Sequence, residues 1–223
     1  MTHVHVHGGG PPPAAQEAAT PSWRLLATLG TAGAVAGLLV GSVYQLTITR
    51  VEAHRAEVMR GAIAEVLQEP ARWDTLYMEG GKLVLRPVGN PGKLPRVFQG
   101  YDASDRRIGV AVLAAEPGFT EMVSLIFGFD PESGRLLGMK VLEQKDTPGL
   151  GDKIQKDSSF VNQFARAVAP LKGVKRRTGS DPGDVDVISG ATISSRAVVR
   201  IINNAVARWR PLLVAYHGGG TTP

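Results

Sequence analysis

An uncharged run near the N-terminus constrains this chain more than any other feature of its sequence. The 25 residues from Leu25 to Thr49 include no Asp, Glu, Lys or Arg, and one arginine bounds the run on each side. A helix needs about 20 apolar residues to cross the hydrocarbon core of a bilayer. The run is too long, and starts too far from Met1, for the hydrophobic region of a signal peptide. The sequence therefore predicts one transmembrane helix.

The predicted helix divides the chain into segments of different composition. The N-terminal residues are rich in Pro, Gly and Ala, which is typical of a disordered tail. His3, His5 and His7 alternate with valines there and could bind a metal ion, but a flexible polar tail is the preferred interpretation, so no metal site is predicted. The segments are a disordered tail over residues 1–22, the transmembrane helix over 23–49, one folded domain over 50–215 and a flexible tail over 216–223.

Glycines give the predicted membrane helix a face of small residues. They recur every four residues at Gly33, Gly37 and Gly41, and such a face lets two membrane helices approach closely. We therefore expect a partner helix. One arginine precedes the helix and three follow it by residue 60, which weakly favours a cytoplasmic C-terminal domain by the positive-inside rule. Two glutamates lie among those three arginines, so charge alone leaves the orientation open.

The folded domain is predicted to be of the α+β class. Helical periodicity over Arg50–Gln68 ends at Pro70. Two alternating runs, Met122–Phe129 and Arg135–Glu143, flank the turn sequence DPESG and predict an antiparallel hairpin. Pro211 is expected to end or bend the last helix. The other predicted elements are strands over Leu83–Val88, Arg107–Ala114 and Asp184–Ile188, a helix over about Ser158–Ala169 and a helix that begins near Ser194.

A lack of reactive side chains limits the chemistry of this domain. The chain has no cysteine, and none of its five histidines lies between His54 and His217. Disulfides, thiolate-held clusters and thiol nucleophiles are therefore excluded, and His-based triads or metal sites are disfavoured. No catalytic residue is predicted, and any chemistry must come from a bound cofactor.

Basic residues outnumber acidic ones, with a formal net charge of +5 whose densest cluster lies at residues 172–177. A nucleic-acid site would combine basic residues with aromatic residues on one face. Only 6% of the residues are aromatic, and the chain is predicted to be membrane-anchored. We interpret the cluster as a solvated loop, with an anionic partner or a lipid surface as the alternative, and predict no nucleic-acid binding.

The first of two glycine-containing motifs is DTPGLGDK, residues 146–153. Its glycines allow close backbone approach to a ligand, while Thr147 and Lys153 offer a hydroxyl and a cation. The motif lacks the spacing of a P-loop and the third glycine of a dinucleotide fingerprint. By itself it favours a plain turn over a ligand-binding loop.

The second motif is DVISGATISS, residues 186–195, which lies between a predicted strand and the last predicted helix. Hydroxyls at Ser189, Thr192, Ser194 and Ser195 gather where a helix exposes its first unpaired N–H groups. A helix N-terminus is a natural seat for phosphate. N-capping by Ser194 or Ser195 explains the same pattern, so the motif by itself leaves both interpretations open.

The pairing of these two motifs, behind one membrane helix, resembles the RnfG family, the G subunits of Rnf-type ion-translocating electron transport complexes. It is also similar to NqrC, the C subunit of the Na⁺-translocating NADH:quinone reductase. The resemblance covers roughly residues 25–213 and is strongest over Gly128–Ile202. The family often has His-Lys-Glu where Gln144, Lys145 and Asp146 stand here.

The resemblance implies a membrane helix followed by one FMN-binding domain of antiparallel strands packed with helices. It further implies covalent FMN, linked through its phosphate to the hydroxyl of Thr192 by a flavin transferase that recognises a signal including Asp186. Lys153 would either offset the phosphate charge or be a surface residue. The implied cofactor-binding residues are Thr147, Pro148, Gly149, Leu150, Gly151, Lys153, Ser189, Gly190, Ala191, Thr192, Ile193, Ser194 and Ser195.

The implied function is electron relay within a complex that couples ferredoxin and NAD redox chemistry to Na⁺ or H⁺ translocation. The implied partners are the other membrane and peripheral subunits, including a second flavoprotein similar to the D subunit of such complexes, and the flavin transferase during maturation. The resemblance places the chain in a bacterial inner membrane with its flavin domain on the periplasmic side, against the weak charge bias. The alternatives are a membrane-anchored non-redox binding module and a lone flavoprotein reductase.

Overall fold

A computed structural model describes residues 22–146 and 149–216 of the chain. The predictions for the N-terminal tail up to residue 21, for Thr147 and Pro148, and for residues 217–223 lie outside the described residues. Contacts divide the chain into two compact units, one up to His54 and one from Arg55 onward. The second unit holds every strand described below.

One helix, α1, spans Ser22–Val66 and combines the two helices predicted in this region. It is long and apolar enough to cross a membrane, and none of the apolar window that meets this test is buried within the structure. Gln68 and Glu69 have φ angles of 59° and 60°, so the backbone leaves the helical conformation there. Pro70 follows, as the sequence predicts for the end of the helix.

Six antiparallel strands form one sheet in the order β2-β1-β3-β4-β5-β6. The predicted hairpin is confirmed as β5 and β6, and the Asp130 carboxylate holds its turn by accepting from Glu132 N and from Ser133 Oγ. The strands are β1 (Arg72–Glu79), β2 (Lys82–Val84), β3 (Arg96–Tyr101), β4 (Arg107–Pro117), β5 (Met122–Phe129) and β6 (Leu136–Glu143).

The two faces of the sheet pack against different helices. One face covers the last turns of α1, and there Gly128 is required, because an added Cβ would lie 2.1 Å from the Val66 carbonyl oxygen. The other face packs against the last helix, α4, which spans Thr192–Ala215. Its core includes Phe127 and Phe129, whose rings lie 5.7 Å apart. Burial of these apolar side chains fixes α4, and therefore its first residue, on the sheet.

Shorter elements connect β6 to α4. They are a 3-10 turn over Asn162–Ala165, α2 (Lys153–Lys156), α3 (Ser158–Val161), and the parallel pair β7 (Lys172–Val174) and β8 (Asp184–Asp186). A further 3-10 turn over Pro91–Lys93 precedes β3.

Several predicted boundaries were wrong. The strand predicted over Leu83–Val88 ends at Val84, because the Glu79 carboxylate accepts from the N–H groups of Val88 and Gly89 in place of a strand partner. The helix predicted over Ser158–Ala169 is instead the short α3 and the 3-10 turn that follows it.

Helix α4 differs from its prediction at its start. It begins at Thr192, two residues before the predicted start, so Thr192 lies in its first turn. It continues through Pro211 to Ala215, so of the two predicted effects of the proline, an end or a bend, the helix does not end there. Trp209 and Leu213 are buried on either side of Pro211, and this packing keeps the last turn helical despite the lost backbone donor.

Candidate functional site

Three segments meet at the start of α4 and enclose a cavity of about 360 Å³. They are the tip of the β4–β5 hairpin, the described part of the loop that follows β6, called here the glycine loop (residues 144–146 and 149–152), and the loop that precedes α4, called here the attachment loop (residues 187–191). The described residues that line the cavity are Phe119, Asp146, Leu150, Gly151, Gly190, Ala191, Thr192, Ile193 and Ser194.

Thr192 is the first residue of α4 and lines the cavity with a half-buried side chain. Ala191 occupies the N-cap position, where its methyl group cannot accept a hydrogen bond. The start of a 24-residue helix therefore faces the cavity without the usual capping side chain. Such a helix end carries a partial positive charge and unpaired N–H groups, which favour an anion.

N-capping by Ser195 was one interpretation of the sequence, but Ser195 lies inside the first turn of α4 and does not occupy the N-cap position. Its hydroxyl donates to the Ala191 carbonyl at 2.9 Å and accepts from Ile188 N at 3.1 Å. The residue is fully buried, so these bonds fix the attachment loop against the first turn of α4. Ser194 donates to Asp146 instead of capping the helix.

Large apolar side chains surround the threonine without covering it. Phe119, Leu150 and Ile193 are 64%, 50% and 57% exposed, yet all three line one cavity. Exposed apolar side chains that converge on a concave site are typical of a ligand-binding surface. A ligand with an apolar ring and a phosphate group matches this surface and the adjoining helix end.

Gly190 lines the cavity and has no side chain to occupy it. Its φ angle of 82° lies in the left-handed region that disfavours other residues. A Cβ at this position would meet no neighbouring atom closer than Leu150 Cδ2, at 3.9 Å, and would occupy cavity space. The residues present therefore fit the cofactor that the sequence resemblance implies.

The glycine loop is held by aspartates. The Asp152 carboxylate accepts from Gly149 N and from Lys156 Nζ, each at 2.7 Å. The hydrogen bond from Lys156 lowers the pKa of Asp152 against the opposing effect of burial, and the Gly149 N–H lowers it further. This carboxylate therefore fixes the loop backbone on which Leu150 is carried.

Asp146 connects the glycine loop to the hairpin tip and to the first turn of α4. It is 5% exposed, and its Oδ2 accepts from Ser194 Oγ at 2.6 Å. Its Oδ1 accepts from Thr120 N at the hairpin tip, at 3.3 Å. No role of its own was assigned to this residue from the sequence, although it begins the first motif.

The hairpin tip that carries Phe119 is also tied to α4. Arg200 donates to the Pro117 carbonyl at 2.5 Å and to the Glu116 carboxylate at 3.3 Å. Asn204 donates to the same carboxylate at 2.9 Å. Phe119 was not identified from the sequence, where its only signal is its place in the short GFT segment between two alternating runs.

Asp186 lies away from the cavity at the end of β8. Its carboxylate accepts from Arg177 N and lies 3.6 Å from Arg177 Nε. Its backbone N–H donates to Gln163 Oε1 at 2.8 Å, and its carbonyl accepts from Gln163 Nε2 at 3.3 Å. These contacts connect β8 to two neighbouring segments, which leaves the side chain about 41% exposed.

The structure brings together seven of the residues singled out from the sequence around one cavity: Leu150, Gly151, Gly190, Ala191, Thr192, Ile193 and Ser194. Ser189, Gly149 and Lys153 do not line it, and Ser195 lies buried beneath the attachment loop. Thr147 and Pro148 lie outside the described residues. In the described ranges, no three His, Asp or Glu side chains are placed to hold a metal ion.

Comparisons with known proteins match the part of the chain that contains this cavity. Residues 118–207, from the hairpin tip into α4, match the family model described as an FMN-binding domain. The G subunit of the ion-translocating oxidoreductase complex of Methanosarcina acetivorans is 30% identical over 183 residues, which cover 82% of this chain and 92% of that protein. The corresponding G subunit of Escherichia coli K12 is 29% identical over 170 residues, covering 75% and 81%.

Solved structures show the same fold. The crystal structure of Shewanella oneidensis NqrC has a TM-score of 0.61 and 17% identity, and the match covers 73% of this chain and 99% of that chain. The C subunit of the Na⁺-translocating NADH-quinone reductase from Parabacteroides distasonis has a TM-score of 0.50 and 20% identity, covering 70% and 90%. The predicted fold class is thereby confirmed. Because the Methanosarcina relative is 30% identical across 92% of its length, this chain belongs to the family of G subunits of ion-translocating oxidoreductase complexes.

Proposed function

We propose that this chain is a membrane-anchored electron-transfer subunit that carries FMN in phosphoester linkage to Thr192. The observation that carries the proposal is the position of this hydroxyl, at the uncapped start of α4 and beside an apolar cavity. When bound, FMN supplies the redox chemistry, and the protein supplies attachment, orientation and electrostatics. This division explains how a domain without cysteine and without a histidine in its body can serve in electron transfer.

The start of α4 supports the phosphate end of the proposed cofactor. A phosphodiester keeps one negative charge, and a charge at a helix N-terminus is stabilised by about 0.3–1 kcal/mol at an exposed site and up to ~2 kcal/mol when partly buried. Lys153 does not line the cavity, so its role as a surface residue is favoured over direct neutralisation of the phosphate.

The apolar rim supports the ring end. A cavity of about 360 Å³ lies in the range of ligand pockets, roughly 300–1,000 Å³, and can receive one face of a flavin ring. Phe119, Leu150 and Ile193 would contact this ring and remove apolar surface from water. A covalently attached flavin does not dissociate from the protein, so a shallow and partly open cavity is sufficient to hold its ring.

Attachment requires an activated donor, because an ester does not form in water from a free phosphate and a hydroxyl. We assign this step to a flavin transferase that uses a flavin nucleotide with a pyrophosphate bond. Thr192 Oγ1 would bond to the flavin-side phosphorus and give its proton to a base of the transferase, while the pyrophosphate bond would break and a nucleoside monophosphate would leave. Thr192 is half-buried, which leaves the hydroxyl within reach of an enzyme.

The wider assembly follows from the family. Within the proposal, residues 23–49 span a bacterial inner membrane and residues 50–215 form the flavin domain on the periplasmic side. The chain relays electrons among the subunits of an Rnf-type complex, including a second flavoprotein similar to its D subunit, and the complex couples ferredoxin and NAD chemistry to Na⁺ or H⁺ transport. Gly33, Gly37 and Gly41 have open space around them in α1, which supports close packing by a partner helix.

Coexpression of the full chain with a flavin transferase tests the attachment. We expect intact mass and in-gel fluorescence to show one covalent FMN on the wild-type chain and none on Thr192→Ala, because the acceptor oxygen is gone. Thr178→Ala is the matched control, since it removes an exposed threonine hydroxyl outside both motifs and outside the cavity and should keep the flavin. A wild-type chain without added mass, or flavin retained on Thr192→Ala, would contradict the proposal.

Purification from native membranes separates the complex from the alternatives. A tagged full-length chain should bring down other membrane subunits that contain redox centres. A flavinylated chain that purifies alone, and reduces soluble acceptors without partners, would instead favour a lone flavoprotein reductase. A chain without flavin would favour a non-redox binding module.

A further inference from the structure

Asp146 is a buried carboxylate on the wall of the cavity that is proposed to hold the flavin. It is 5% exposed and lines the cavity beside Thr192 and Leu150. Neither the phosphate attachment nor the apolar contact with the ring uses it. A buried carboxylate is costly unless its contacts compensate for lost hydration, so its partners identify its role.

The contacts of Asp146 reach the first turn of α4, the hairpin tip and its own loop. Its Oδ2 accepts from Ser194 in the first turn of α4, and its Oδ1 accepts from Thr120 N at the hairpin tip. Within its own loop it packs so closely on Gly151 that an added Cβ there would lie 2.3 Å from Asp146 Cβ. The side chain therefore fixes the spacing between the attachment point, Phe119 and Leu150.

Both oxygens of Asp146 act as acceptors, which is the hydrogen-bonding pattern of an ionised carboxylate. In the part of the chain that the structure describes, no lysine or arginine forms an ion pair with it, whereas Asp152 of the same loop is paired with Lys156 at 2.7 Å. Its negative charge is therefore offset by hydrogen bonds and by the start of α4, and not by a cation.

We propose that Asp146 is a positioning residue that holds the glycine loop, the hairpin tip and the first turn of α4 in register and keeps the midpoint potential of the bound FMN low. The inference rests on the proposed function, since it concerns FMN attached at Thr192. Each electron that a neighbouring redox centre passes to FMN adds negative charge. A fixed negative charge at the cavity wall opposes this addition, and it does so more strongly where the protein excludes water.

Two substitutions separate the two effects of Asp146. Asp146→Asn removes the charge but keeps the shape, because its oxygen can still accept from Thr120 N and its amide can donate to Ser194 Oγ. Ser194→Ala keeps the charge and removes one of the contacts between the segments. The turn between β5 and β6 offers a matched control pair, Asp130→Asn and Ser133→Ala. There the aspartate accepts from the serine hydroxyl at 2.5 Å, and neither residue lines this cavity.

The experiment uses the full chain, flavinylated by coexpression, and measures covalent FMN by intact mass, midpoint potential by spectroelectrochemistry and ring mobility by flavin fluorescence anisotropy. Asp146→Asn should raise the midpoint potential by about 59 mV for a one-electron couple, which is a tenfold change in the reduction equilibrium. Ser194→Ala should lower the anisotropy with a smaller change in potential. The control pair should match the wild type in both.

The outcomes distinguish this inference from the proposed function. No covalent FMN on the wild-type chain overturns the proposed function itself. Covalent FMN on every variant, with potentials and anisotropies of Asp146→Asn and Ser194→Ala equal to those of the control pair, overturns the role of Asp146 alone. If Asp146→Asn does not accumulate, Ser194→Ala decides, because an unchanged anisotropy in that variant contradicts the positioning role.

Discussion

The two loops that build the site are held in different ways. The attachment loop is fixed by a hydroxyl, because Ser195 Oγ contacts Ile188 N and the Ala191 carbonyl. The glycine loop is fixed by two carboxylates, Asp146 and Asp152. A serine hydroxyl does not titrate in the physiological range, whereas Asp152, whose pKa is lowered first by the hydrogen bond from Lys156, loses its charge only in acid. We therefore expect the start of α4, which carries Thr192, to be insensitive to pH and the backbone around Gly149 and Leu150 to respond in the acidic range.

A side chain added at Gly151 in the glycine loop should have the largest effect on the free energy of unfolding. Gly151→Ala would place a Cβ 2.3 Å from Asp146 Cβ and 2.5 Å from its Oδ2. Overpacking of this kind costs about 1–3 kcal/mol, which we expect as a lower free energy of unfolding in urea. Gly61→Ala in α1 is the control, since no neighbouring atom lies within 4 Å there and alanine favours a helix. Equal stability of the two variants would show that the loop relaxes freely.

Loss of the hydroxyl beneath the attachment loop should have the next largest effect. Ser195→Ala leaves the partly buried Ile188 N without its partner, which costs about 0.5–1.5 kcal/mol. The free energy of unfolding should therefore fall, while the midpoint potential of the bound FMN stays near that of the wild type. A changed potential with unchanged stability would contradict the division of roles between the loops.

Acidification should have the smallest effect, a local change in the glycine loop. The pKa of Asp152 is depressed, first by the hydrogen bond from Lys156, so its stabilising contribution is complete above the ordinary aspartate value of about 3.9 and is lost as pH falls through the lower folded-state pKa. With selective ¹⁵N-glycine labelling, the Gly149 amide signal should shift in that acidic range while the Gly190 signal stays constant. The same Gly149 titration in Asp152→Asn would rule out this carboxylate as the cause.

The sequence predicted the elements whose signals are local. The β5–β6 hairpin combines alternating apolar residues with a turn whose aspartate bonds its own backbone, so neither part depends on distant residues. Strands β1 and β3 were missed, because β3 buries Gln99 and Gly100, which carry no strand signal. Their place in the sheet is set by pairing with each other, between residues that lie 19 to 29 positions apart in the chain.

The same distinction applies to the site. Thr192 and the two glycine motifs were found because they are contiguous in sequence and resemble those of a known family. Phe119 was not, because its arrival at the cavity depends on the register of β4 against β5 and on the contacts of that hairpin with α4. The contact between Asp146 and Ser194 joins residues 48 positions apart and has no sequence signature.

Arg200 and Asn204 attach the hairpin tip to α4, and this attachment bears on the rate of electron transfer. One helix carries the threonine that would hold the flavin, and the same helix, through Arg200, holds the strand end that presents Phe119. A flavin attached to Thr192 would therefore move together with Phe119 when the domain fluctuates. A redox group with preorganised surroundings needs little rearrangement when its charge changes, so we expect a low reorganisation energy for this carrier.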